Sequence, residues 1–426
     1  MHYNPTYMNI YFSGIGGVGI GPLAEIARDA GYSVQGSDAQ RGPIFDRLEQ
    51  SGVRVSTDQT GAFLEECNTE KPVDWFVYTA ALPEHHPELV LAQALGIRTA
   101  KRDELLSAII ADKGLQLIAV AGTHGKTTTT GMMVWTMQRL GIPVSYSVGT
   151  TLSFGPSGRY EPGSKYFVYE CDEFDRNFLA FTPHLSVITS IDYDHPDTYP
   201  TEGDYISAFK DFIHQSTATI IWQHGAEYLS LNEPTIWCLQ RDEVFNLSIA
   251  GEHNRRNATL VLKALERLGL GAYPQNQTAI ASFPGTDRRF QKLDKNLYSD
   301  YGHHPVEIAA TLQLAREVST QVVLVYQPHQ NVRQHEIQDQ YTDCMELADT
   351  IYWLPTYLTR EDSALEILSP EHLTAHLTNQ EALHIVDLDE ELWDMIQSAR
   401  HAGKLVLCMG AGTIDAWVRE HLRAHL

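Results

Sequence analysis

The chain has 426 residues, 43% hydrophobic and 20% charged, which predicts an ordinary soluble protein of two to four domains. Its formal net charge of −23 argues against a nucleic-acid partner, because no basic stripe offsets it. Five scattered cysteines without a C-x-x-C pair, no leader-like opening segment and no bilayer-length apolar run predict reduced thiols, no membrane partner and a cytoplasmic location.

Taken in order, residues 8–12 read as a strand, followed by the loop Gly14-Ile15-Gly16-Gly17-Val18-Gly19 and a helix over residues 23–30. A second strand over residues 33–36 ends at Asp38, about 20 positions beyond the loop. This is a dinucleotide-type fingerprint in a β-α-β setting. Asp38 reads either as a ribose ligand or as a turn cap. Trp75–Tyr78 is a further buried strand, ending in Thr79-Ala80-Ala81, and a helix follows over residues 87–95. A linker near residues 111–114 marks a first domain boundary.

Residues 117–120 form the next apolar strand, which runs into Gly122-Thr123-His124-Gly125-Lys126-Thr127-Thr128 and a helical pattern ended by Gly141 and Pro143. Strand, glycine loop, Gly-Lys-Thr and helix is the plan of a phosphate cradle. Backbone N–H groups and a helix N-terminus attract phosphate, the lysine adds a point charge, and the threonine hydroxyl suits Mg²⁺. The loop is shorter than the common P-loop, since Val120 stands at the first glycine. Residues 165–169 then deliver Glu170 to a strand end, where a carboxylate suits a hard cation. A strand over 185–191 leads to His195, a second metal ligand or an ordinary loop histidine.

Gly251 opens a helix to residue 268 that carries Asn254 and Asn257 on one face; they read an adenine edge, or Asn254 is a cap. Arg288-Arg289-Phe290 suits phosphate recognition or is a surface pair. The last third alternates strand and helix again. Tyr301-Gly302-His303-His304-Pro305 follows Asp300, His329 and Arg333 follow the strand 322–326, and Gly410-Ala411-Gly412 follows the strand 405–409. Polar residues at strand carboxyl ends are where open α/β sheets bind ligands.

In this order the marks resemble the Mur ligase family over nearly the whole chain. They are the two glycine loops, Glu170 with Asp172-Glu173, Asp194-His195, His253-Asn254 with Asn257-Ala258, Arg288-Arg289-Phe290, Asp300 to Pro305, Pro328-His329 and Gly410 to Gly412. The resemblance implies an α/β fold of three domains. They are a Rossmann-like UDP-sugar domain (1–112), a central P-loop ATPase-type domain (113–283) and a Rossmann-like C-terminal domain (284–426) that completes the ATP and amino-acid sites. It implies ATP and Mg²⁺, and small-molecule substrates for a monomer or homodimer.

The implied reaction is two-step: ATP phosphorylates a muramate carboxylate, and an amino group displaces phosphate. The marks are most like those of members that join L-alanine to UDP-N-acetylmuramate. A member that attaches a ready-made tripeptide, a non-catalytic nucleotide-binding relative and an oxidoreductase are the alternatives. The resemblance implies that Gly122 to Thr128, with Lys126, hold the phosphates, and that Thr127, Glu170 and His195 hold metal. Arg289 would reach the phosphates, Asp300 the ribose, and Asn254 and Asn257 the adenine. Gly14, Gly16, Gly17, Gly19, Asp38, Thr79 and Ala80 would hold the UDP-sugar. Tyr301, His303, His304, His329 and Arg333 would face the amino acid.

The chain departs from the family pattern at four places. Gly21 stands where serine is usual. Gln330 replaces an arginine, which leaves Arg333 alone as the guanidinium expected at the amino-acid carboxylate. The segment from Thr356 to Glu361 is unusual, with Arg360 as a compensating cation. The stretch between Tyr199 and Gly251 is short.

Overall fold

The computed structural model describes residues 8–79, 82–195, 198–359 and 361–424. Ala80 and Arg360, both singled out above, lie outside the described residues. The chain forms two compact units, Met1–Val244 with Asn257–Phe283, and Phe245–Arg256 with Pro284–Leu426. Among the described residues no helix is long and apolar enough to cross a membrane.

The first unit holds two sheets. The first is built from β1 (Asn9–Ser13), α1 (Gly21–Asp29), β2 (Ser33–Ser37), α2 (Pro43–Gln50), β3 (Arg54–Ser56), α3 (Ala62–Glu70), β4 (Trp75–Tyr78), α4 (Pro87–Ala94) and β5 (Arg98–Lys101). Its strands are all parallel, in the order β3-β2-β1-β4-β5. Every residue of β1 is buried, as a central parallel strand covered on both faces requires. The chain leaves β1 toward β2 and β3 and later returns to β4 on the other side. The reversal point therefore lies at the carboxyl ends of β1 and β4, where open α/β sheets take ligands.

The second sheet follows α5 (Arg102–Asp112). It comprises β6 (Gln116–Ala121), α6 (Lys126–Arg139), β7 (Val144–Ser147), β8 (Gly158–Arg159), β9 (Tyr166–Glu170), β10 (Leu185–Ile188), α7 (Glu202–Gln215), β11 (Thr219–Trp222), α8 (Gln223–Tyr228) and β12 (Ile236–Leu239). The order is β12-β11-β10-β6-β9-β7-β8, parallel except for the β7–β8 pair. β6 lies between β9 and β10, with Val120 opposite Glu170 and Ala121 opposite Ile188. That pairing brings three loops to one edge. The short stretch after Tyr199 is nonetheless a regular α-β-α-β run. Helices α9 (Glu252–Arg267) and α10 (Tyr273–Ala281) follow. One continuous apolar core runs beneath both sheets, from Ile10 and Phe12 through Ile109 to Phe209 and Ile221.

The second unit carries β13 (Gln291–Asp294), β14 (Leu297–Asp300), α11 (Pro305–Val318), β15 (Val322–Tyr326), α12 (Asn331–Ile337), β16 (Thr350–Trp353), α13 (Pro370–Thr374), β17 (Leu383–Ile385), α14 (Glu390–His401), β18 (Leu405–Met409) and α15 (Ile414–Ala424). The order β13-β14-β18-β15-β16-β17 is parallel apart from the β13–β14 hairpin. With β18 between β14 and β15, the loops after all three strands share one edge. Two cores cover the faces, one around Trp353 and Tyr341, the other around Trp393 and Val418.

Candidate active site

The phosphate cradle is built by the left-handed turns at Gly122 (φ 130°) and Gly125 (φ 83°), which bring the chain from β6 into α6. A Cβ on Gly122 would lie 2.4 Å from Thr189 Oγ1 and 2.6 Å from the Ser190 carbonyl oxygen, so only glycine fits. The Thr123 amide donates to the Ser190 carbonyl (3.0 Å) and the His124 amide to Ser190 Oγ (2.9 Å). Those two are spent on the loop after β10, and the donors left by geometry are the amides that open α6, from Lys126 through Thr128.

Lys126 Nζ donates to the Gly122 carbonyl (2.7 Å) and to both oxygens of Glu173 (2.9 and 2.7 Å), with Asp172 3.9 Å away. The Lys126 side chain is 15% exposed and that of Glu173 is wholly buried. Burial pulls the lysine down, but the neighbouring carboxylates outweigh it and hold the ammonium well above its usual range. Burial pushes Glu173 up to about 7 against the pull of Lys126. Glu173 was not legible as a partner in the sequence. It stands three residues beyond the end of β9, just before a kink in which Asp175 and Arg176 take left-handed backbone.

Thr127 Oγ1 donates to Glu170 Oε1 (2.6 Å), and Glu170 Oε2 accepts the Gly149 amide (2.6 Å). A hydroxyl and a carboxylate side by side at the cradle are the oxygen donors Mg²⁺ takes. Among the described residues no group of three His, Cys, Asp or Glu side chains could hold a metal alone. His195 (φ 59°) has its ring against Phe174, centroids 5.3 Å apart, and Nε2 3.8 Å from Asp194. Asn257 lies against the cradle: a Cβ on Gly125 would meet its Oδ1 at 3.0 Å.

In the first glycine loop, the Gly14 and Ile15 amides donate to the Ser37 carbonyl (2.8 and 2.9 Å), and Gly16 donates to Asp38 Oδ2 (2.9 Å). Asp38 thus braces the loop from the neighbouring strand end through Oδ2, while its Oδ1 accepts the Gln40 amide (3.1 Å) in the turn that follows. Gly17 donates to Gly14 (3.0 Å), which leaves the amides around Val18 and Gly19 as the outward ones, with Val18 92% exposed. Thr79 Cγ2 lies 3.9 Å from the position of a Gly14 Cβ. A Cβ on Gly21 would meet Ile44 Cγ2 at 2.5 Å and the Ile15 carbonyl at 2.9 Å. The glycine that replaces serine is therefore matched by an isoleucine filling its space.

In the second unit Arg288 and Phe290 both have positive φ (54° and 45°). The bend is pinned by Asp300, whose carboxylate accepts the Phe290 and Gly302 amides, each at 2.7 Å, and burial raises its pKa. Both Asp300 oxygens thus serve the backbone. Arg288 donates to the Gly410 carbonyl (2.7 Å) and is a local brace. Arg289 lies 3.7 Å from Glu307 and over the Tyr301 ring, 5.4 Å from its centroid. Asn254 lies inside α9 and not at its N-cap, and its side-chain amide donates to the Ala250 carbonyl (3.1 Å). Burial, with Arg289 and Arg255 nearby, lowers His253 to about 4.

Tyr301, His303, His329 and Arg333 come together at the shared edge. His303 lies 5.7 Å from the Tyr301 ring and 5.6 Å from His329, and Arg333 Nη1 sits 2.5 Å from His303 Nε2. Burial pushes His303 down to about 4, so its Nε2 is a neutral acceptor for the guanidinium. His304 caps α11 through the Val306 amide (3.4 Å). Gln330 (φ 60°) donates its amide to the Tyr357 carbonyl (2.9 Å), and Tyr357 stacks on His329 at 5.8 Å.

The structure therefore defines an α/β protein with one Rossmann-type glycine loop, one P-loop cradle and a polar third edge. Residues 9–113 match the Mur ligase family, catalytic domain; residues 120–232 match the Mur ligase middle domain; residues 288–412 match the Mur ligase, glutamate ligase domain. The chain is 31% identical to the UDP-N-acetylmuramate–L-alanine ligase of Jannaschia sp. strain CCS1, covering 97% of this chain and 94% of that protein. It is 32% identical to the corresponding ligase of Nocardioides sp. strain JS614, covering 96% and 94%. The solved UDP-N-acetylmuramate–alanine ligase of Thermotoga maritima superposes with a TM-score of 0.75 at 24% identity, over 98% of this chain and 99% of that one. A murein peptide ligase of Psychrobacter arcticus gives 0.63 at 22%, over 98% of each. The chain belongs to the Mur ligase family.

Proposed function

We propose that this enzyme joins L-alanine to the carboxylate of UDP-N-acetylmuramate at the expense of ATP, in peptidoglycan precursor synthesis. The observation that carries the reading is the full-length likeness to alanine ligases at 31% and 32% identity. The tripeptide-adding alternative has its support in solved peptide ligases at 22% and 24% identity, where likeness speaks for the fold alone.

A muramate carboxylate oxygen attacks the γ-phosphorus of ATP and ADP leaves. The alanine amine then adds to the acyl carbon, a proton is lost, and inorganic phosphate departs. Phosphoryl transfer of this kind depends on positioning and charge neutralisation. Lys126 and the amides from Lys126 to Thr128 hold the β- and γ-phosphates, with Gly122, Thr123, His124 and Gly125 shaping the turn. Thr127 and Glu170 would hold one Mg²⁺ and His195 would serve a second metal, and these ions would supply charge stabilisation at the phosphates. Arg289 adds a cation at the phosphates. Asn257 and Asn254 serve the nucleoside side, and Asp300 serves it by fixing the 288–290 bend. Gly14 to Gly19 with Thr79 take the UDP-sugar, and Asp38 braces that loop. Arg333, oriented by His303 beside Tyr301, His304 and His329, takes the amino-acid carboxylate.

The division into domains 1–112, 113–283 and 284–426 and a cytoplasmic, monomeric or homodimeric enzyme belong to the same reading. Phosphate release with UDP-N-acetylmuramate, ATP and Mg²⁺ against a panel of amino acids and the tripeptide tests it. L-alanine is expected to give turnover; turnover with the tripeptide alone overturns the assignment.

A further inference from the structure

Glu88 is a charged-type side chain with no exposure at all, and no step above uses it. It stands at the second position of α4, after Pro87, and points to the carboxyl ends of β1 and β2. Its Oε1 accepts from Tyr11 Oη and Ser37 Oγ, and its Oε2 from Ser13 Oγ, all three at 2.6 Å. All three partners are themselves fully buried. Ser13 is the last residue of β1, immediately before Gly14, and Ser37 is the last of β2, immediately before Asp38. The Ser37 carbonyl accepts the Gly14 and Ile15 amides, and Asp38 accepts that of Gly16. The first three amides of the glycine loop thus hang on a strand end that Glu88 clamps. A buried hydroxyl that loses its acceptor is costly, so the clamp is stiff.

We propose that Glu88 is a positioning residue for the UDP-sugar: through Ser13 and Ser37 it fixes the glycine loop in its ligand-binding shape. The inference rests on the reading of that loop as the UDP-sugar site. Glu88→Ala removes all three acceptor bonds. Glu88→Gln keeps one oxygen for Tyr11 and Ser37 and turns its amide toward Ser13, whose hydroxyl then accepts.

The test measures three quantities on folded protein: dissociation constants for UDP-N-acetylmuramate and for MgADP by calorimetry, and hydrogen exchange of the peptide spanning Gly14–Gly17. Glu88→Ala should weaken UDP-sugar binding on the order of tenfold or more. It should speed exchange in the loop and leave MgADP affinity unchanged, with Glu88→Gln recovering most of the loss. Unchanged UDP-sugar affinity together with unchanged loop exchange overturns the proposal. Equal weakening of both ligands also overturns it, because that marks a merely structural role. If Glu88→Ala does not fold, Ser37→Ala carries the same expectations, since it cuts the link to the loop and leaves Glu88 in place. If the unmodified enzyme fails to bind UDP-N-acetylmuramate, the assignment of substrate is wrong, and loop exchange alone decides the role of Glu88.

Discussion

Lys126 and Glu173 make a prediction that separates chemistry from stability. The ammonium meets both carboxylate oxygens at 2.9 and 2.7 Å, and the carboxylate is wholly buried. Lys126→Ala removes the positive charge and leaves Glu173 in the interior without its partner. Breaking a buried pair in this way costs roughly 3–5 kcal/mol. Glu173 already titrates at about 7 with the lysine present, raised by burial. A carboxyl whose folded value lies above its unfolded value keeps full stability below the unfolded one and loses it as pH rises toward the folded one. The penalty of Lys126→Ala should therefore be small at pH 5 and large at pH 8. Replacing the carboxylate as well removes its cause, so Lys126→Ala with Glu173→Gln should be more stable than Lys126→Ala by about 2 kcal/mol at pH 8. Urea unfolding of the four proteins of this cycle at both pH values supplies the numbers, and ATP-dependent phosphate release should be lost in both proteins that lack Lys126. Equal stability of Lys126→Ala and the unmodified chain at pH 8, or a double variant no better than the single, refutes the reasoning.

Acidification should act on the second unit through His253 and His303, each buried with a folded value of about 4. Values depressed below the ordinary ~6.5 give stability that is complete above that pH and lost as pH falls toward 4. The loss is about 3 kcal/mol for each histidine, and hydrogen exchange in the peptides of β14 and α11 should accelerate over that window. No acceleration between pH 6.5 and 4 would contradict the neutral assignment. Gly21→Ser should destabilise by roughly 1–3 kcal/mol through overpacking against Ile44, and an added Ile44→Ala should recover part of it in thermal melts. Failure of that rescue would place the strain at the Ile15 carbonyl instead. Glu170→Gln should lower phosphate release by about a hundredfold or more, and chelation of Mg²⁺ should abolish it in the unmodified enzyme; activity that survives chelation would remove Glu170 from a metal role.

What could be read from the sequence was local. A glycine loop between an apolar strand and a helical pattern needs only its neighbours in the chain, so both loops, and the strands that carry them, stood out. Partners created by sheet order did not. Glu173 meets Lys126 from 47 residues away and Glu88 meets Tyr11 from 77. Neither has a spacing that a period of two or 3.6 would reveal. The same holds for Ser190, which takes the Thr123 and His124 amides because β10 lies beside β6. Asp38 reads as a ribose ligand or a turn cap because an acidic residue after a second strand suits both, and its 2.9 Å bond from Gly16, 22 residues back, leaves no mark in local spacing. Asp300 shows the same limit: its bond from the Phe290 amide arises from the bend at 288–290, and positive φ at Arg288 and Phe290 leaves no mark in composition.

In the proposed reaction a muramate carboxylate is phosphorylated and then captured by alanine. Mass spectrometry of the reaction of UDP-N-acetylmuramate labelled with ¹⁸O in that carboxylate, with ATP, Mg²⁺ and L-alanine, tests it most directly. The expected result is the alanine amide as product with transfer of one ¹⁸O to the inorganic phosphate. Absence of the amide with L-alanine, or an amide formed while the released phosphate stays unlabelled, would contradict it.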